Sequence, residues 1–166
     1  FITPELLSLE DGVLEGYIAD PDFADFDAVL SKTLRMKPHT LSAREEQLLA
    51  MAGEVCGASE NAYDMLTDAD MDLGTTRGED GKKTKLTDVR LNSFLVSPDR
   101  AVRKAAYTNV MNGYGKLGNA IAAMYAGQVK GDIFNAKARG FKNCRESYLY
   151  RDDVSEDVYD SLIDAI

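Results

Sequence analysis

Hydrophobic residues recur every three or four positions along most of this chain, which is the spacing of residues on one face of an α-helix. Proline, glycine and capping residues divide the pattern into segments. Short helical turns are predicted from Thr3 and from Ser8 to Asp20–Pro21, where a second helix begins that must end before Pro38. The apolar face of this second helix is formed by Phe23, Phe26, Leu30 and Leu34.

Two further helices are predicted before residue 70. Ser42 and Glu45 form a capping box, and the helix that follows is expected to bury one apolar face and to end at Gly57. That face consists of Leu48, Leu49, Ala52, Val55 and Cys56. Ser59 is expected to cap the next helix. The apolar residues of this next helix are Ala62, Tyr63, Leu66 and Ala69.

The helical pattern is interrupted over about residues 71–86, where a β-hairpin is predicted. Asp80–Gly81 is a strong signal for a tight turn, and it lies between the candidate strand segments Leu73–Thr76 and Lys82–Leu86. This is the one place in the chain where strands are predicted. A helix begins again at Thr87, with candidate core residues Val89, Leu91, Phe94 and Leu95.

The longest predicted element is a helix over about residues 98–139, which begins at Ser97–Pro98 and ends before Gly140. Its apolar stripe consists of Ala106, Val110, Gly113, Leu117, Ala120, Met124 and Gly127. A break near residues 113–118 would put this stripe out of phase, so one continuous helix is expected, whose small residues allow another helix to approach closely. The predicted fold is therefore mainly α: a multi-helix lobe, one domain over residues 1–166, with one long helix and a single hairpin.

The ends of the sequence carry a further expectation. The chain begins at Phe1 without a methionine, and after the good N-cap at Ser155 it ends within an amphipathic run. That run consists of Val158, Leu162, Ile163 and Ile166. Since no signal for a helix end follows, these residues are expected to be a piece of a longer polypeptide.

Composition and charge narrow the class of protein. With 45% hydrophobic and 28% charged residues the chain looks soluble and globular, and no apolar stretch approaches the ~20 residues of a membrane span. A net charge of −9 argues against a nucleic-acid-binding module. Acidic residues dominate positions 1–80 and basic residues positions 81–166. This indicates two halves that face each other, two different solvated surfaces, or a charged wall along a ligand channel. Cys56 and Cys144 are expected to be buried reduced thiols, which fits a cytoplasmic protein.

Gly113, Gly115 and Gly118 match the G-x-G-x-x-G pattern of dinucleotide-binding folds. That chemistry requires the glycines in a tight turn between a strand and a helix, where backbone amides reach a pyrophosphate. The segment before Gly113 is helical in pattern, and no strand–helix–strand unit surrounds it. Close helix packing is therefore the preferred explanation for these glycines.

Asp68, Asp70, Asp72 and Glu79 occupy positions 1, 3, 5 and 12 of a loop that is similar to an EF-hand. Position 6, where that loop needs a glycine, is Leu73, and the hairpin signal overlaps the loop. A solvated acidic helix end is therefore preferred, with a calcium-responsive module as an alternative.

Other candidate catalytic residues are few. His39 is the only histidine, it has no second histidine or nearby cysteine at metal-ligand spacing, and a surface or capping role is expected for it. The residues alone describe a helical domain without a complete active site.

Short strings in a fixed order extend over nearly the whole chain. They are Phe1–Leu9, Lys37–Ser42, Ala52–Ala58, Asn61–Leu66, Ala69–Met71, Ser97–Arg100 and Val158–Asp160. This ordered set resembles the N-terminal region of oligoendopeptidase F, a zinc metallopeptidase family similar to thimet oligopeptidase.

The resemblance implies a helical lobe of a clam-shaped enzyme that hydrolyses short peptides. It also implies that zinc, an H-E-x-x-H helix and the catalytic residues lie in a C-terminal domain beyond Ile166. No catalytic residue and no metal ligand is thus expected within residues 1–166, and these residues alone are expected to be inactive. The implied partners are that catalytic domain of the same chain and an oligopeptide substrate, with no nucleic acid and no membrane.

Gly74, Thr75 and Thr76 are the candidate substrate-facing residues, because an edge strand can add main-chain hydrogen bonds to an extended peptide. A structural flap without ligand contact is the alternative for this hairpin. For the chain as a whole, the alternative to a peptidase domain is a non-enzymatic helical domain whose charged faces bind another protein.

Overall fold

The computed structural model describes residues 2–166, so Phe1, the first residue of the strings above, lies outside the described residues. In chain order the α-helices are α1 (Ile2–Leu7), α2 (Val13–Ala19), α3 (Asp27–Met36), α4 (Ala43–Cys56), α5 (Ala58–Asp64), α6 (Asp88–Leu95), α7 (Arg100–Lys116), α8 (Gly118–Ala138), α9 (Cys144–Arg151) and α10 (Glu156–Ala165). Strands β1 (Thr75–Arg77) and β2 (Lys83–Lys85) pair antiparallel. Over the described residues the fold is mainly α with one hairpin, which confirms the predicted fold class.

The chain divides into two compact units. Unit 1 is the described part of Phe1–Val55 together with Lys130–Ile166, and unit 2 is Cys56–Val129. Helices α4 and α8 contain residues of both units. The grouping of residues 1–166 as one domain stays a prediction.

Several predicted helix starts are confirmed by their capping hydrogen bonds. The Ser42 N–H donates to Glu45 Oε2 at 3.0 Å, and the Glu45 N–H donates back to Ser42 Oγ at 3.4 Å. Thr87 Oγ1 accepts from the Arg90 N–H at 3.3 Å, and Ser155 caps α10 in the same way. These interactions satisfy amide groups that a helix leaves unpaired in its first turn, so local sequence was sufficient to predict them.

The predicted cap at Ser59 is wrong. Helix α5 begins at Ala58, and Gly57 before it provides no side-chain cap. After α5 the chain continues as a π-helical turn, Met65–Asp70, in which the Met71 N–H donates to the Leu66 oxygen at 2.8 Å.

The predicted continuous helix over about residues 98–139 is also wrong. Helix α7 ends at Lys116 and α8 begins at Gly118, and Leu117 between them has φ −106° and ψ 10°. The Leu117 N–H donates to the Tyr114 oxygen at 3.0 Å, three residues back, so the helix tightens and ends. Gly115 and Gly118 flank this point, and glycine lowers the free energy needed to leave the helical conformation.

The core of unit 2 lies beneath the hairpin. Leu73, Leu86, Ala106 and Val110 are buried against one another, which places one face of α7 under the two strands. The partly buried side chains around them are Met71, Leu91, Phe94 and Tyr114.

Glycines permit two close approaches within unit 2. A Cβ atom on Gly113 would lie 2.6 Å from Leu73 Cδ2, and one on Gly127 would lie 3.1 Å from Ser59 Cβ. Close packing between helices, as predicted, is confirmed at Gly127, where α8 meets α5. At Gly113 the neighbour is instead the segment before β1.

Unit 1 is joined by contacts between residues far apart in sequence. The Arg35 Nε–H donates to the Tyr150 carbonyl oxygen at 3.1 Å, and the Tyr150 hydroxyl donates to the Arg35 carbonyl oxygen at 3.0 Å. The His39 ring stacks on Phe141 with centroids 3.7 Å apart, and His39 Nδ1 lies 2.8 Å from the carbonyl oxygen of Arg139, just after α8. Of the surface and capping roles expected for His39, this contact and its half-buried ring fit the capping role better.

A two-point ion pair fixes α4 to the end of α8. The Arg139 guanidinium donates to Glu46 Oε1 at 2.7 Å and to Oε2 at 2.9 Å, and the Leu41 N–H donates to Oε1 at 3.0 Å. The hydrogen bond from Arg139 lowers the pKa of Glu46, against the opposing effect of burial.

This ion pair predicts an acid-sensitive contribution to stability. Because the pKa of folded Glu46 is below its ordinary value of 4.5, the contribution is present above that value and is lost as the pH falls through the folded pKa. We expect Glu46→Gln to destabilise the protein near neutral pH and to match the wild type in strong acid, measured by chemical denaturation across pH. Glu54→Gln, exposed on the same helix, is the control. An unchanged wild-type-minus-variant difference across this pH range would contradict the assignment.

The apolar face of α4 differs from its prediction. Leu48 and Val55 are exposed and Leu49, Ala52 and Cys56 are half-buried, so this face is not the buried surface that was expected. Val158, Leu162 and Ile163 of α10 and the following Ile166 are exposed, as expected for an apolar run without its partner surface. Periodicity identifies residues that share a face, but it does not supply the surface that covers them.

Two smaller findings complete the description. Cys56 and Cys144 are free thiols, as predicted, although each is half-buried rather than buried. Across residues 2–166, none of the helices combines the length and hydrophobicity that a membrane span requires.

Candidate functional site

The outer edge of strand β1 presents unpaired main-chain groups. Gly74 O accepts from the Leu86 N–H at 2.9 Å, and the Gly78 N–H donates to Lys82 O at 3.1 Å. Since paired and unpaired positions alternate in an antiparallel ladder, Thr76 pairs with Thr84, while the main-chain groups of its two neighbours point away from β2. The free edge is therefore formed by Thr75 and Arg77.

The structure separates the three predicted substrate-facing residues. Gly74 has φ 72°, a left-handed conformation that favours glycine, and its N–H donates to Asp72 Oδ1 at 2.9 Å. Thr75 is exposed at the edge. Thr76 is 4% exposed, with a buried hydroxyl that has no hydrogen-bond partner among the residues that the structure describes. Its side chain faces the core of unit 2, so Gly74 and Thr75 are the two of the three that border open space.

An open groove of about 520 Å³ adjoins this edge. One wall is the segment Asp72–Gly74 and the other is α7. The α7 residues that line it are Asn109, Met111, Asn112, Gly113, Gly115 and Lys116. Gly113 and Gly115 carry no side chains, so this part of the helix wall is main chain.

Asn109 connects the groove to the strand edge. Its Nδ2 donates to the Thr75 carbonyl oxygen at 3.0 Å, and this bond joins α7 to one of the outward main-chain groups of β1. Sequence analysis missed both Asn109 and Arg77. The only available signal was that Asn109, Gly113 and Lys116 share one helix face at spacings of four and three.

The groove is suited to binding rather than to bond breaking. Its charged side chains are one acid, Asp72, and one base, Lys116, and its other polar groups are amides. Nearby, burial raises the pKa of the Tyr114 hydroxyl to about 12, with Asp88 and Tyr63 adding to the effect. Tyr114 therefore stays neutral and donates to Asp88 Oδ2 at 3.4 Å, which makes it a packing residue of the core.

The geometry argues against the calcium alternative. Asp72 accepts from the Gly74 N–H, and Glu79 accepts from the hydroxyl of Ser97. Within residues 2–166, no three His, Cys, Asp or Glu side chains lie together as the ligands of a metal ion would. Gly113–Gly118 likewise lies at the end of a helix and not between a strand and a helix, so it lacks the context of a dinucleotide site.

Comparison with known proteins gives a consistent result. The family profile described as Oligopeptidase F matches residues 5–72. Oligopeptidase PepF of Bacillus subtilis is 35% identical over 167 residues, covering 100% of this chain and 25% of the relative. Group B oligopeptidase PepB of Streptococcus agalactiae is 32% identical, covering 100% of this chain and 28% of the relative. The chain thus spans about a quarter of the length of these curated relatives.

Two solved structures share the fold. A putative peptidase from Chlamydophila abortus superposes with a TM-score of 0.86 at 26% identity, over 99% of this chain and 28% of that chain. Oligoendopeptidase-F from Enterococcus faecium superposes with a TM-score of 0.81 at 32% identity, over 98% of this chain and 32% of that chain.

Proposed function

Since this chain corresponds to the N-terminal region of the oligoendopeptidase F family, we propose that it is the substrate-binding N-terminal domain of a zinc-dependent oligopeptidase that hydrolyses peptide bonds in short peptides. The free edge of β1 beside its groove is the observation that carries the binding role. On this proposal the protein is cytoplasmic, and its partners are an oligopeptide and the catalytic domain of the same chain.

The described residues do not fit a zinc site. His39 has its Nδ1 at the Arg139 carbonyl oxygen and its ring against Phe141, and no metal-like group of ligands occurs within residues 2–166. The sequence also contains no H-E-x-x-H. On this proposal, zinc and the residues that cleave the peptide are carried by a C-terminal catalytic domain, and the residues described above bind and orient the substrate.

Main-chain pairing would make the binding selective for extended peptides. The outward N–H and C=O groups of Arg77 and the N–H of Thr75 can pair with a strand laid along β1. A peptide that is already part of a folded protein has these groups paired internally, so short unstructured peptides are the favoured substrates. Pairing of this kind depends little on the side chains of the peptide.

A helical protein-interaction domain is the second candidate, and the exposed apolar faces of α4 and α10 favour it. On the leading proposal these faces pack against the remainder of the same chain. The two candidates differ in whether peptide hydrolysis accompanies binding.

The decisive experiment measures hydrolysis of an internally quenched peptide by the full-length protein. We expect hydrolysis that a zinc chelator abolishes and added zinc restores, with none from residues 1–166 alone. A full-length protein that fails to cleave peptides in the presence of zinc, while binding another protein, would establish the interaction domain instead.

A further inference from the structure

We infer that the groove between Asp72–Gly74 and α7 is a subsite for the main chain of a peptide, in which the side-chain amide of Asn109 extends the hydrogen-bonding edge of β1. This inference rests on the proposed function and assigns a positioning role to Asn109.

The amide of Asn109 already occupies the place of a neighbouring strand. Its Nδ2 donates to the Thr75 oxygen at 3.0 Å, the bond that the N–H of an added strand would make. A carboxamide has the same donor and acceptor groups as a peptide bond. Among the described residues, Oδ1 of Asn109 has no hydrogen-bond partner, and this atom can accept from the N–H of a bound peptide.

The dimensions of the groove fit a short extended segment. From Asn109 to Lys116, α7 advances about 10 Å at ~1.5 Å per residue. An extended chain rises ~3.3 Å per residue, so about three peptide residues span this wall. Gly115 lies along it with no atom within 4 Å of the position its Cβ would take, so the peptide backbone can approach the helix there.

The charges of the groove favour a neutral main chain over an ionic ligand. Asp72 and Lys116 have opposite charges and both line the groove, so it lacks the excess of one charge that would select an anion or a cation. The remaining polar side chains, Asn109 and Asn112, are amides that pair with peptide N–H and C=O groups.

A competing role for Asn109 is protection of the strand edge. Unpaired edges invite association, and proteins commonly cover them. Under that role, removal of Asn109 frees the Thr75 carbonyl and peptide binding is unchanged or tighter. The two roles are therefore distinguished by peptide affinity, which falls on removal of Asn109 only if Asn109 belongs to the subsite.

The test uses the full-length protein with a labelled peptide blocked at both ends, in steady-state kinetics with zinc and in equilibrium binding after chelation. We expect Asn109→Ala to raise KM and Kd about two- to tenfold, the value of one hydrogen bond, with kcat unchanged. Thr108→Ala, exposed on the same helix, is the control and should leave both constants unchanged.

A series of peptides, each with one N-methylated amide, identifies the peptide N–H that donates to Oδ1 of Asn109. One methyl group should weaken binding to the wild type and have no effect on Asn109→Ala, a coupling that a purely structural role would not produce. Asn109→Leu removes the Oδ1 acceptor and the Nδ2 donor at nearly constant size and should also weaken binding, which covers the case in which Asn109→Ala misfolds.

The outcomes separate the two levels of inference. Unchanged or tighter peptide binding by both Asn109 variants overturns the subsite. Binding that depends on Asn109 without any hydrolysis by the zinc-loaded wild type supports the subsite and overturns only the peptidase proposal. A wild type that binds no peptide overturns both.

Discussion

Replacing Leu86 by alanine is expected to lower the free energy of unfolding by about 3 kcal/mol. Leu86 is 1% exposed and packs with Leu73, Ala106 and Val110, so the substitution removes buried methyl groups and leaves a cavity at the junction of the hairpin and α7. Its backbone N–H also closes the hairpin through Gly74. The measurement is urea denaturation followed by circular dichroism, since the chain has no tryptophan.

Val89→Ala is the matched control for this experiment. Val89 lies in α6, close to Leu86 in sequence, and is 88% exposed, so its truncation should change the free energy of unfolding by less than about 0.5 kcal/mol. A loss below about 1 kcal/mol for Leu86→Ala would contradict the assignment of Leu86 to the core of unit 2.

Gly113→Ala is expected to destabilise the protein by about 2 kcal/mol, although alanine is the better helix former. The added Cβ would lie 2.6 Å from Leu73 Cδ2, and Leu73 is itself 5% exposed and surrounded by core residues, so it cannot move away freely. The same denaturation measurement applies, combined with Gly113→Ala in a Leu73→Ala background. There the overlap is gone, and the two effects should be non-additive by more than about 0.5 kcal/mol.

Gly115→Ala, two residues further along α7, is the comparison, because it should raise the free energy of unfolding rather than lower it. No atom lies within 4 Å of the position its Cβ would take, so helix propensity should decide the outcome, with a gain of up to about 1 kcal/mol. Equal effects of the two substitutions would refute the close approach of Leu73 to α7.

The elements that sequence predicted correctly are those determined within a few residues. The hairpin follows from Asp80–Gly81, where Gly81 has φ 74° and the Gly81 N–H donates to the Gly78 oxygen at 2.9 Å. The caps at Ser42, Thr87 and Ser155 satisfy amides in the adjoining helical turn. Each of these features depends on the backbone conformations that a few neighbouring residues favour, so the local sequence determines it.

The wrong predictions concern features that depend on residues far apart in sequence or on small differences in free energy. A continuous apolar stripe suggested one helix across Leu117, but the neighbouring glycines made the break inexpensive, and Ala120 of that stripe is exposed. The predicted buried face of α4 is partly exposed, because burial requires a covering surface. Asn109 was missed because its importance comes from a bond to Thr75 that only the folded chain brings together.

Which residues of the candidate site point their main-chain groups outward also depends on contacts between residues apart in sequence. An edge strand was predictable from the turn, but which of its residues face outward depends on register. Pairing of Gly74 with Leu86 turns the main-chain groups of Thr76 inward and those of Thr75 outward. A shift of one residue would reverse the two faces, and nothing in the hydrophobic pattern of so short a strand fixes that choice.

The arrangement of unit 1 has a consequence for biosynthesis. Its two segments, up to Val55 and from Lys130 onward, are separated in sequence by the whole of unit 2. A ribosome delivers the chain from its N-terminus, so unit 2 is complete before Arg139 and Tyr150 emerge to meet Glu46 and Arg35. During that interval the first segment lacks the residues it packs against, so its apolar side chains are exposed and accessible to a chaperone.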